Sequence, residues 1–122
     1  MYELTIESSF SSAHNLRGYE GACENLHGHN WKVEVAVTSE KLDKLDMVID
    51  FKRLKAETKR IMEYLDHKYL NEVPPFDKIN PTAENIARFI YKELARAFND
   101  GNIKVAKIKV WESENAAAAY YE

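Results

Sequence analysis

Apolar and polar positions alternate from the start of the chain. Tyr2, Leu4, Ile6, Ser8, Phe10, Ser12 and His14 share one parity, which predicts a strand over residues 2–14 whose core face ends in His14. The same period returns after Asn25. Trp31, Val33, Val35 and Val37 lie on one side of a strand from about 27 to 38, with Asn30, Lys32, Glu34 and Thr38 on the other. The polar, glycine-containing run between them, residues 15–25, reads as a loop. The period then lengthens. Phe51, Leu54, Thr58, Ile61, Met62 and Leu65 recur at helical spacing behind Asp50, a suitable N-cap, so residues 51–65 form an amphipathic helix. Pro74-Pro75 lies in a connection over 71–81 that cannot be helical. Thr82 caps a second helix with Ile86, Phe89, Ile90, Leu94 and Phe98 on one face, stopped by Asn99-Asp100-Gly101. Alternation resumes over 103–113 and again over 116–121. The order β-β-α-α-β-β predicts an α+β fold, a four-stranded antiparallel sheet with both helices on one face.

With 122 residues there is room for one core, so a single domain over 1–122 is expected. A formal net charge of -3 provides no basic field of the kind that holds nucleic acid. No apolar run reaches membrane-spanning length, and Met1 to Thr5 lacks the basic-then-apolar order of a signal peptide, so a cytoplasmic protein with neither nucleic acid nor membrane as partner is expected. Cys23 is the only cysteine and cannot form an internal disulfide. Its place four residues before His27 favours a reactive thiol over a buried small side chain.

The parity of the histidines changes the picture further. His27 and His29 are two apart and in phase with Trp31 to Val37, so both imidazoles leave the core face at the mouth of the second strand. Gly28 between them leaves the opposite face open to another backbone or a ligand. His14, ending the core face of the first strand, has the best claim as a third ligand, and three protein ligands with an open position is the pattern of a catalytic zinc site. The competing reading is a closed structural site made by Cys23, His14, His27 and His29. One carboxylate also breaks its row: Ala106, Ile108 and Val110 form an apolar series that Glu112 continues, and a carboxylate in line with a core face must be paired or used. Among the cations, Arg17, Lys52, Arg53 and Lys55 read as solvated charges.

Several segments, in this order, resemble one family. Phe10-Ser11-Ser12-Ala13-His14, His27-Gly28-His29-Asn30-Trp31, Leu65-Asp66-His67-Lys68-Tyr69-Leu70-Asn71, Asn80-Pro81-Thr82-Ala83-Glu84-Asn85 and Glu112 are similar to the motifs of the 6-pyruvoyltetrahydropterin and 6-carboxytetrahydropterin synthases, of the tunnelling fold. The resemblance implies a zinc-dependent lyase acting on 7,8-dihydroneopterin triphosphate, with zinc on His14, His27 and His29. It implies Cys23 as general base, His67 oriented by Asp66 as a second proton carrier, and Glu112 as the anchor of the pterin ring. Three residues separate Cys23 from His27, as in the members that form 6-carboxytetrahydropterin for the queuosine pathway; a 6-pyruvoyl product is the alternative. Glu24 leaves open a third outcome, trimming of dihydroneopterin to a 6-hydroxymethyl pterin. The resemblance also implies homo-oligomers, trimers closing a barrel and stacked as hexamers, with active sites between subunits so that His67 serves a neighbour's zinc.

Overall fold

The computed structural model describes residues 1–19, 21 and 25–122. Strand β1 is Tyr2–His14, β2 is His27–Ser39, β3 is Ile103–Trp111 and β4 is Ala117–Tyr120. Helix α1 is Phe51–Leu65 and α2 is Ala83–Phe98. The predicted order and antiparallel sheet are both present, with strands side by side as β1-β2-β3-β4. Helix α1 packs against β1, while α2 packs against β3 and β4. The caps act as expected: an Asp50 carboxylate oxygen accepts from Lys52 N at 2.8 Å, and Thr82 Oγ1 accepts from Asn85 N at 3.1 Å.

Burial follows the parity of β2. Trp31, Val33, Val35 and Val37 are fully buried and meet Leu54, Ile61 and Leu65 of α1 and Ile86, Ile90 and Leu94 of α2 in one apolar cluster. Apolar area is removed from water mainly on one sheet face, and that fixes the register, because a slip by one residue would carry every inward side chain outward. None of the helices among the described residues is long and apolar enough to cross a membrane.

Two expectations about β3 need correction. The strand ends at Trp111, and Glu112 N donates to Ala116 O at 3.1 Å to begin the turn into β4. The inward row is also not Ala106, Ile108, Val110. Val37 pairs with Val105 while Ala36 pairs with Lys107, so Ala106 is the extra residue of a β-bulge. Val105, Ile108 and Val110 are the fully buried residues, and Glu112 does continue their row beyond the bulge.

Candidate metal centre

Register brings the histidines together. His14 lies directly opposite His27 at the paired ends of β1 and β2, and Ser12 lies opposite His29, so all three imidazoles emerge on the core face within two residues of the sheet's rim. Trp31 forms the floor. Its ring stacks on Phe10 at 5.7 Å, presents itself at 4.9 Å to His14 and 5.1 Å to His29, and its Nε1 donates to Ser12 O at 3.2 Å.

The ring tautomers follow from their partners. His14 Nδ1 donates to Pro81 O at 2.8 Å and His27 Nδ1 donates to Asn25 O at 2.7 Å, because a carbonyl can only accept. In the neutral rings the proton is then on Nδ1 and the lone pair on Nε2. Those two Nε2 atoms face each other at 3.0 Å, an arrangement that repels unless a cation or proton lies between them. Burial pushes His14 and His29 below the ordinary histidine pKa, with Glu112 opposing it in both, and the neutral imidazole is the form that ligates a metal.

Glu112 completes the group. Its Oε1 lies 3.0 Å from His29 Nε2 and 3.5 Å from His14 Nε2. The His29 nitrogen is buried and close to this oxygen without the alignment of a hydrogen bond. One donor atom from each of His14, His27, His29 and Glu112 falls within 4.8 Å of all the others. Three inward nitrogens, two with their tautomer fixed by backbone carbonyls, together with a carboxylate, fit a divalent metal ion.

Asp66 and His67 lie elsewhere. They follow the last turn of α1 and run along the outer edge of β1, where Ser11 N donates to Asp66 Oδ1 at 2.8 Å and His67 N donates to Ser11 O at 2.7 Å. His67 adopts left-handed backbone geometry at φ 54°, which turns the chain so that Lys68 O can accept from Ala13 N. Its Nδ1 meets Asp66 Oδ2 at 2.8 Å, leaving a strongly exposed ring with Nε2 outward. The Ser11 amide, and after it His67, holds the Asp66 carboxyl below the usual carboxylate range. Neither residue belongs to the His14, His27, His29 and Glu112 group. Cys23 and Glu24 lie outside the described residues. A Cβ on Gly28 would meet only Ser12 O at 3.9 Å, so packing within one chain does not require that glycine.

Arg17 is exposed, as expected, but it is also tied down. Its guanidinium donates to Asn71 O at 3.0 Å, Phe76 O at 2.7 Å and Ile79 O at 3.3 Å, clasping the connection between the helices. Two asparagines work beside it. Asn71 Oδ1 accepts from Asn15 N at 3.0 Å and Asn71 Nδ2 donates to Asn15 O at 2.9 Å; Asn80 treats Arg17 in the same way at 2.9 and 3.0 Å. Residues 11, 13, 15 and 17 thus find partners in succession along one edge, the last two from amide side chains that imitate a strand. Asn80, Pro81 and Asn71 are supporting residues that periodicity does not reveal; the sequence marks them only through the two motifs of the family resemblance in which they stand.

A four-stranded antiparallel sheet backed by two helices, with three imidazoles and a carboxylate gathered at the strand ends, defines a class of small α+β protein able to bind a metal ion. Within that class the particular group is plain. The chain belongs to the 6-pyruvoyl tetrahydropterin synthase family, whose sequence pattern matches residues 3–122. It is 33% identical over 144 residues to the 6-carboxy-5,6,7,8-tetrahydropterin synthase of Haemophilus influenzae, covering 100% of both chains. It is 33% identical over 129 residues to the 6-pyruvoyl tetrahydrobiopterin synthase of Dictyostelium discoideum, covering 96% of this chain and 93% of that one. The structure of Caenorhabditis elegans 6-pyruvoyl tetrahydropterin synthase superposes with a TM-score of 0.83 at 27% identity, covering 100% of this chain and 97% of that one.

Proposed function

We propose that the chain is a zinc-dependent 6-carboxy-5,6,7,8-tetrahydropterin synthase of the cytoplasm, converting 7,8-dihydroneopterin triphosphate and water to 6-carboxytetrahydropterin, triphosphate and acetaldehyde. The observation that carries this reading is the convergence of His14, His27 and His29 beside Glu112, in a chain that aligns from end to end with a synthase of that name. Zinc held by the three imidazoles supplies a Lewis acid for the hydroxyls of the substrate side chain, which acidifies the neighbouring C–H bonds. Cys23 removes a proton as thiolate, and the spacing from Cys23 to His27 favours the 6-carboxy product. His67, its Nδ1 engaged by Asp66, carries protons at its free Nε2. Glu112 accepts two N–H bonds from the guanidine-like edge of the pterin and fixes the ring.

His67 stands on an outer edge, apart from the imidazole group, and this supports trimers or paired trimers in which it serves a neighbour's zinc. The sheet supports the same assembly: its edge strand β1 carries exposed Glu3 and Glu7, and β3, next to the short edge strand β4, carries exposed Lys104 and Lys107. Mass spectrometry of the products after incubation with 7,8-dihydroneopterin triphosphate tests the reaction. The expected product is the 6-carboxy pterin with equimolar acetaldehyde. A 6-pyruvoyl or 6-hydroxymethyl product overturns the assignment.

A further inference from the structure

We propose that Asn80 is a positioning residue of the metal centre, setting through Pro81 the orientation of the His14 ring. The inference rests on the metal reading given above. His14 is 1% exposed, and among the described residues its ring's one hydrogen bond away from the site is that from Nδ1 to Pro81 O. That bond holds the Nδ1–H tautomer and aims Nε2 inward, so the position of one carbonyl decides the geometry of one ligand.

Pro81 is held from both sides. Before it, the Asn80 side chain grips the backbone of Arg17 with two bonds, and the Asn80 carbonyl accepts from Asn85 Nδ2 at 2.9 Å. After it, Thr82 caps α2 and begins its hydrogen bonding, with Ile86 N donating to Thr82 O at 2.9 Å. The Asn80 side chain is therefore the tie nearest Pro81 between the start of α2 and the chain leaving β1, three residues past His14. Without it α2 still packs through Ile86, Ile90 and Leu94, while the Pro81 carbonyl loses its fixed height against the imidazole.

Removing partners outside the ligand shell typically weakens metal binding by about 10- to 100-fold, and Asn80 acts one residue away, so Asn80→Ala should raise the zinc Kd about tenfold. Competition against a chromophoric chelator measures this at fixed pH, and the visible absorption of the cobalt-loaded protein reports ligand geometry independently. Ile61→Val, a core change in α1, serves as the comparison: it should lower the melting temperature and leave both readouts unmoved. Zinc bound by Asn80→Ala as tightly as by the wild type, with an unchanged cobalt spectrum, overturns the proposal. If Asn80→Ala does not fold, Asn80→Asp, which keeps the acceptor for Arg17 N and removes the bond from Asn80 Nδ2 to Arg17 O, decides in the same way: a smaller rise in Kd is expected, and an unchanged Kd refutes. Failure of the wild type itself to take up zinc overturns the metal reading, and this inference with it.

Discussion

Replacing Glu112 by glutamine separates two roles that the geometry brings close together. The change keeps shape and volume and exchanges one carboxylate oxygen for an amide nitrogen. Glu112 is 36% exposed and lies just past the end of β3, so the fold should be little affected, by about 0.5 kcal/mol or less. The pterin is another matter. A carboxylate accepting two N–H bonds becomes an amide that presents a donor to one of them, turning an attraction into a clash. Truncating one partner of a desolvated charged pair costs about 2 to 5 kcal/mol, and the partial exposure of Glu112 places the effect at the lower end. About 2 kcal/mol corresponds to roughly thirtyfold in Kd. Titration of a dihydropterin into zinc-loaded protein, followed by fluorescence, reads this directly, and elemental analysis of the same samples reads metal content. Pterin affinity within about threefold of the wild type refutes the anchoring role. Loss of zinc with the substitution would make Glu112 a ligand, as its 3.0 Å approach to His29 also permits.

Other substitutions should divide metal binding from proton transfer. His14→Ala should abolish stoichiometric zinc; full metal content in the purified variant would remove His14 from the ligand set. Cys23→Ala should keep zinc and pterin while turnover falls by on the order of a hundred- to ten-thousand-fold, and loss of zinc along with activity would favour a closed structural site instead. Asp66→Asn should destabilise the protein at neutral pH. Because the folded pKa of Asp66 is depressed, its contribution is present above the unfolded value and lost as pH falls through the folded one, so the variant and the wild type should converge below the ordinary carboxylate range in urea melts. A stability difference that persists unchanged to low pH would count against that carboxylate.

Much of the site was legible because it lies on strands. The phase of His27 and His29 with Trp31 and Val33 is a local property, and it correctly places both rings on the core face. His14 needed one more step, the antiparallel pairing that sets it opposite His27, and the β-β order at the start of the chain supplies that pairing. The arithmetic of parity failed at Ala106, since an inserted residue leaves no mark on composition. It still reached Glu112, because the residues beyond the bulge keep their own phase. The contacts of Arg17 and Asn80 were out of reach for a different reason. Their bonds join segments 54 to 63 residues apart through side chains that could equally well face water. The left-handed turn at His67 was hidden as well, being dictated by Ser11 and Ala13 on a strand distant in sequence.

The bulge in β3 has a bearing on how this chain is compared with others. Val105 and Lys107 pair with consecutive residues of β2, so the ladder is complete without Ala106, and a chain lacking that residue would keep every inward and outward side chain where it is. Homologues can therefore differ in length by one at this point without exchanging one face of the sheet for the other. An alignment that places the gap beyond Glu112 instead of at Ala106 would put Trp111 in the column of Glu112, and the carboxylate beside the histidines would seem to be missing from a protein that has it.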